Sequence, residues 1–293
     1  MFGRSSGKVD LPSMPATLAR IIEITNAKDS TAEQLAAVVR LDQSLATKVL
    51  RLVNSAYVGR KTKVETITDA VVALGFGAVR NLAASASVIE ALFPKRMFPG
   101  FNWQDMWIHS VTCAVASGVF YANTRGGSRN NSESAFVAGL LHDIGKLIIA
   151  RALPGRFIQI VEAVREYNFE MVRAETNYLS TNHCVIGGDL ADQWEFPTKL
   201  AAAIRFHHNP EEAGEHSDLA RAVKSGNMLA KRLGRNYIVG VPVEISIADI
   251  AEVSGLRASD MEFIVNDVRD GLRKSGEILA WGNSLPGAQR QAA

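Results

Sequence analysis

The sequence predicts an all-α protein of two lobes, with an N-terminal helical lobe packed on a second helical bundle. Three observations carry that expectation. Apolar residues recur at three- and four-residue spacing in segment after segment, the mark of helices with one buried face. Strand signals are scarce: residues 237–243 are β-like, but Gly240 and Pro242 within them argue for a loop or an edge. Residues 93–100, Phe-Pro-Lys-Arg-Met-Phe-Pro-Gly, break the helical pattern with two prolines and a glycine and place a lobe boundary there.

The first lobe, residues 11–93, follows an N-terminal extension at 1–10. Residues 15–26 set Leu18, Ile21, Ile22 and Thr25 on one face. Ser30 and Glu33 have the spacing of a capping box, opening a helix through Leu35, Val38 and Val39. Asp42 is placed to cap the next helix, whose stripe is Leu45, Val49, Leu52 and Val53. Residues 66–74 form a fourth helix, stopped by Gly75, and 76–92 a fifth. The second lobe, residues 100–225, predicts helices at 102–124, 131–150, 154–167, 181–194 and 197–208, with a loop at 126–132 leading into the helix that carries His142 and Asp143. An extension at 226–281 has helices near 246–280, too few residues for a core of their own, which should therefore pack on the bundle. Residues 282–293 lack periodicity and read as a disordered tail.

At 293 residues the chain can bury a large core. Lys and Arg number 32 against 30 Asp and Glu, a net charge of +2, which gives no electrostatic case for nucleic acid. The basic residues Lys61, Lys63, Arg80, Arg125 and Arg129 accordingly read as solvated surface. Cys113 and Cys184 form no CxxC and read as reduced, buried thiols rather than a disulfide or a zinc pair. The first ten residues lack the apolar run of a secretory signal, and no stretch approaches the roughly 18–20 apolar residues of a membrane span. A soluble, cytoplasmic protein is expected, with no membrane partner.

Five of the six histidines fall at spacings that suit one metal site. Its centre is the run Gly139-Leu-Leu-His-Asp-Ile-Gly-Lys146, where His142 and Asp143 lie side by side in an apolar, helix-length segment. Burying an imidazole and a carboxylate without partners is costly, and a divalent cation removes that cost by binding both. His109, His183, His207 and His208 are the other candidates, and His216 falls in a polar stretch that reads as surface. Each has a plainer reading. His109 alone fits a hydrogen-bonded core residue. Asp143 and Lys146 fit a helical ion pair. His207-His208 fits the C-terminal end of a helix, where the dipole favours positive charge. Joint placement argues for the site: each candidate is expected on its own helix, as a bundle metal centre requires. A His/Asp shell suits Fe, Mn, Ni or Zn better than Ca or Mg, in a mononuclear or dinuclear centre.

These residues resemble the HD superfamily of metal-dependent phosphohydrolases, with its H…HD…D pattern. His109 matches the first position and His142-Asp143 the doublet. His183 and His207-His208 match the fuller set of the related HD-GYP phosphodiesterases, and Lys146 matches the lysine of their HDxGK signature, which the resemblance implies contacts substrate phosphate. A narrower relative fits the whole chain. Leu11-Pro-Ser-Met-Pro15, the segment Leu41 to Tyr57 and Ile67-Thr-Asp-Ala-Val-Val-Ala-Leu-Gly75 resemble the N-terminal lobe of the HDOD family. His183 to Pro197 and Ala203-Ile-Arg-Phe-His207-His208-Asn-Pro210 resemble its second lobe, so the likeness covers residues 11–225. It implies an all-helical bacterial signalling module. The chain departs from these patterns in three ways. No Gly-Tyr-Pro follows His207-His208. The last HD aspartate falls near Asn227, which brings no charge. Gln43 stands where the family has proline, at the first turn of a helix.

Two functions follow from the resemblance. One is a regulatory HDOD module, with signalling proteins as partners, a nucleotide as a further candidate ligand, and a metal in the second lobe. The other is a metal-dependent phosphohydrolase or cyclic dinucleotide phosphodiesterase, with Asp143 and Lys146 as its catalytic residues.

Overall fold

The computed structural model describes residues 9–26, 30–56, 63–94, 96–124 and 132–284. The expected loop at 126–132 except Ser132, which begins a helix, lies outside them, as do Lys61, Arg125, Arg129, residues 1–8, the Thr25 side chain and the tail from 285. The described chain is all-α. Its helices are α1 (Ala16–Asn26), α2 (Ala32–Arg40), α3 (Gln43–Ala56), α4 (Ile67–Leu74), α5 (Phe76–Leu92), α6 (Trp103–Asn123), α7 (Ser132–Leu141) and α8 (Ile144–Ala152). They continue as α9 (Pro154–Tyr167), α10 (Met171–Leu179), α11 (His183–Gln193), α12 (Thr198–Phe206), α13 (Ser217–Arg232), α14 (Ile247–Ser254), α15 (Met261–Lys274) and α16 (Gly276–Trp281). No strand occurs among the described residues; Phe101 forms single antiparallel bridges with Phe98 and with Ile238.

Local signals account for most boundaries. The Asp42 carboxylate accepts from the backbone N–H of Leu45 at 3.0 Å and opens α3. Thr66 caps α4, and Gly75 ends it at a φ of 87°, a conformation glycine adopts freely. The Asn102 side chain accepts from Gln104 and Asp105 and opens α6. The box at α2 sits one residue beyond the expected position: Thr31, not Ser30, is the cap, and Gln34, not Glu33, reaches back. Both spacings satisfy the pattern, and the Ser30 hydroxyl is committed to the Ile24 carbonyl.

The hub is α6, a helix of 21 residues buried on nearly every side. It packs chiefly on α7 and α13. Small residues permit the approach: a Cβ on Gly139 of α7 would meet Ser117 Oγ at 2.7 Å and the Ala114 Cα at 2.9 Å. Gly226 of α13 faces the same turn of α6, 2.8 Å from the Cys113 carbonyl by the same measure. Three backbones therefore converge within one turn, one to two turns from His109. The helices of the C-terminal extension lie against the rest of the chain, α15 on α6 and α16 on α3, with Trp281 edge-on to Trp107 at 4.9 Å.

One element differs in a way that matters. The expected helix at 131–150 is two helices, α7 and α8, broken at His142-Asp143. Neighbouring side chains on an unbroken helix diverge by about 100°, so the break is what lets both residues face one point. The apolar run continues across it, which hides it from periodicity. A helix at Met171–Leu179 was also not expected from the sequence.

Candidate metal centre

Four histidines and one aspartate meet where these helices converge. His109 comes from α6, His142 from the end of α7, Asp143 from the start of α8, His183 from the first turn of α11 and His207 from the end of α12. All five are buried at 0–1% exposure, which makes any unmet lone pair there expensive. Asp143 is the common neighbour. Its Oδ2 lies 3.3 Å from His142 Nε2 and 3.9 Å from His109 Nε2. Its Oδ1 lies 3.2 Å from His183 Nε2 and 4.0 Å from His207 Nε2.

Each of the four rings is anchored by its other nitrogen. Nδ1 of His109 meets the Arg235 carbonyl at 2.7 Å, that of His142 the Gly139 carbonyl at 2.8 Å, and that of His207 the Ile204 carbonyl at 2.8 Å. Nδ1 of His183 meets Glu175 Oε2 at 2.6 Å, and the same oxygen accepts the His183 backbone N–H at 2.9 Å. Those acceptors place the proton on Nδ1 and leave Nε2 as a bare lone pair turned inward, the arrangement of metal-bound imidazoles. His109 Nε2 and His142 Nε2 are 3.4 Å apart. Two neutral rings held this way oppose lone pair to lone pair, so the contact calls for positive charge between or beside them.

The titration behaviour has the same cause. Burial, reinforced by His142, pushes His109 down to about 3. Burial also opposes charge on His142, but Asp143 outweighs it and lifts this ring to about 10. Asp143 is held well below the carboxylate range, where the pull of His142 and Lys146 overcomes desolvation. His207 and His208 are pushed well down by burial and by neighbouring histidines. The cluster thus attracts a cation, and protons fill that role when no metal does.

The residues fit a divalent metal on this geometry. His109, His142 and Asp143 form one donor group within coordinating range, and His183, Cys184, His207 and His208 form a second. Asp143 Oδ1 faces the second group, 3.2 Å from His183 Nε2. Nitrogen, carboxylate and thiol donors suit borderline transition metals rather than Ca or Mg.

A cleft of about 380 Å³ reaches the cluster from outside, lined by Lys146, Lys231, His208, His183, Tyr237 and Glu170 among others. Lys146 Nζ lies 2.7 Å from Asp143 Oδ1 and donates to the Tyr237 hydroxyl, which donates to Asp143 Oδ2 at 2.8 Å. The helical pair Asp143–Lys146 therefore exists together with the cluster rather than instead of it.

All six sequence-derived histidine and aspartate candidates and Lys146 stand in this region. They do not each sit on a separate helix: His142 and Asp143 share one turn, and His207-His208 close one helix. His216 is apart, beside Glu215 at 3.8 Å. Asn227 is buried, and its Oδ1 has no hydrogen-bond partner. Of the basic residues, Lys63 pairs with Glu277 at 2.6 Å and Arg80 donates to Asn81 at 3.3 Å.

Three residues of the site escaped the sequence reading. Glu175 lies on the unexpected α10. Tyr237 lies in the loop read only as weakly β-like, pinned where the Asn102 N–H donates to its carbonyl at 2.9 Å and its ring packs on Phe101 at 5.2 Å. Cys184 had a visible signal, its adjacency to His183.

The family model for the HDOD domain matches residues 11–210, and the chain belongs to the HDOD family. A candidate phosphohydrolase from Shewanella amazonensis has a similar solved structure, at 27% identity and a TM-score of 0.70 over 92% of this chain and 95% of that one. An HDOD domain protein of unknown function from Geobacter sulfurreducens is 26% identical, at a TM-score of 0.70 over 94% and 93%. A candidate signal transduction protein from Marinobacter aquaeolei is 25% identical, at a TM-score of 0.69 over 97% of this chain and 61% of that one. An uncharacterized protein of Treponema pallidum is 28% identical over 229 residues, and the match spans 43% of that relative's length. No helix among the described residues is long and apolar enough to cross a membrane.

Proposed function

We propose that this chain is a regulatory HDOD module of bacterial, cytoplasmic signal transduction that holds a divalent transition metal, Fe, Mn, Ni or Zn, in its second lobe. The carrying observation is the set of four histidines whose Nδ1 atoms are all anchored while their Nε2 atoms converge on Asp143. His109, His142 and Asp143 would hold one ion, and His183 with His207 and His208 a second. Likeness to a candidate signal transduction protein supports the regulatory role, with other signalling proteins as partners. The division into lobes at 11–93 and 100–225 fits it, since both groups of metal-ligating side chains found among the described residues belong to the second lobe.

One observation favours a second reading, a metal-dependent phosphohydrolase or phosphodiesterase: the cleft that reaches the centre is lined by Lys146 and Lys231. A bound transition metal would supply a water of lowered pKa there. Lys146 and Lys231 would hold the charge of a phosphate or nucleotide, and Tyr237 would keep Asp143 turned toward the histidines. Elemental analysis of protein purified without chelator, with turnover of a generic phosphodiester, separates the readings. Retained metal without turnover supports the regulatory module. Turnover that chelator abolishes supports the enzyme. Absence of metal after loading refutes both.

A further inference from the structure

The second donor group contains a residue foreign to a pure His/Asp centre. Cys184 follows His183 in the first turn of α11 and is 5% exposed. Its Sγ lies 3.4 Å from His183 Nε2 and 3.9 Å from His207 Nε2. The donor atoms of His183, Cys184, His207 and His208 all lie within 4.8 Å of one another. Nitrogen and sulfur bound to one tetrahedral zinc, at about 2.0 and 2.3 Å, are about 3.5 Å apart.

A thiol packed as a small apolar residue accounts for this poorly. The Nδ1 anchors of His183 and His207 leave both Nε2 atoms as acceptors. A single S–H can donate to only one of them, and the other neighbour of His183 Nε2, Asp143 Oδ1 at 3.2 Å, is itself an acceptor that meets it only if the ring takes up a second proton. A metal ion meets both at once and displaces the thiol proton, which leaves to solvent as the thiolate binds. Glu175 on the far side of His183 supplies the carboxylate that commonly orients a metal-bound imidazole.

We infer that Cys184 is a thiolate ligand, so that His183, Cys184, His207 and His208 form a closed, soft four-ligand site unlike the harder His109, His142 and Asp143 site beside it. This rests on the metal-binding reading above and deepens it. Four protein ligands fill a tetrahedral shell and favour Zn²⁺ held for structure, whereas three ligands leave a position open for water or substrate. The two ions would then differ in identity and role, with any chemistry at the three-ligand side and Asp143 at the seam.

The test is Co²⁺ titration of the metal-free full chain, followed by absorption spectroscopy, in the wild type and in C184S. The wild type should take up two equivalents, with a sulfur-to-cobalt charge-transfer band in the near ultraviolet. C184S should lose the band. It should bind the second equivalent more weakly by more than the roughly 10–100-fold that loss of an outer-shell partner costs. X-ray absorption of the zinc-loaded wild type should find one sulfur at about 2.3 Å, and it decides the matter if C184S does not fold. Cobalt bound with no sulfur band, or zinc with no sulfur neighbour, overturns the proposal and leaves a His/Asp metal centre standing. Failure to bind any metal overturns the metal-binding reading and this proposal with it.

Discussion

Replacing Asp143 with alanine tests the centre most directly. Asp143 is 1% exposed, belongs to the first donor group and touches the second, 3.3 Å from His142 and 3.2 Å from His183. Its loss leaves the Lys146 ammonium, 2.7 Å away, without its counter-charge in a buried place. Breaking one side of a buried ion pair costs about 3–5 kcal/mol. A metal adds to the difference. An ion present at about 1,000 times its Kd stabilises the native state by about 4 kcal/mol, or on the order of 10 °C in Tm for a chain of this size. The assay is thermal unfolding of wild type and D143A, each with added Zn²⁺ and with chelator, beside elemental analysis. Wild type should lose on the order of 10 °C on chelation. D143A should melt lower than the chelated wild type, should hold fewer metal equivalents, and should respond to metal less than the wild type does. Equal metal content and equal Tm in wild type and D143A would refute the reasoning, because a carboxylate at the centre of a metal cluster cannot be removed without effect on either.

Other perturbations reach the same network from outside. Glu175→Gln keeps the shape but weakens the anchor on His183 Nδ1; metal affinity should fall about 10–100-fold in a competitive chelator titration, and unchanged affinity would remove Glu175 from the account. Gly145→Ala should destabilise by about 1–3 kcal/mol or more in denaturant unfolding, because the new Cβ would come 2.7 Å from the His183 carbonyl carbon and closer still to its oxygen. A gain of up to about 1 kcal/mol, as alanine brings to an unobstructed helix, would show that α8 and α11 do not approach so closely. Ser246→Ala should cost about 1 kcal/mol through loss of the α14 cap. The Ser246 backbone N–H, then its hydroxyl, hold Asp249 below its usual carboxylate value. The hydroxyl's share, the part that S246A removes, is present above about pH 4 and is lost as pH falls through the lowered value. The Tm gap between wild type and S246A should therefore narrow in acid, and a gap that widens there would contradict the capping geometry.

The sequence by itself determined a great deal about this protein. The helical class, the helix ends marked by Asp42, Thr66, Gly75 and Asn102, and the ligand candidates from His109 to His208 were legible, because caps, turns and 3.6-residue periodicity are local. The capping box at α2 was legible as a type but not in register, since Ser30–Glu33 and Thr31–Gln34 satisfy the same spacing and only the packed chain chooses between them. Tertiary structure alone decided the rest. The break at His142-Asp143 is invisible in an unbroken apolar run, yet it sets both side chains toward one point. Glu175 and Tyr237 joined the site because α10 and the loop at 237 fold back onto it, contacts made across the molecule rather than along the chain. Cys184 was visible beside His183, but its candidacy as a ligand came only with the distances to His183 and His207. Residue type and spacing state which donors exist; which lone pairs face one another, and therefore which need a cation, is fixed only when the helices pack.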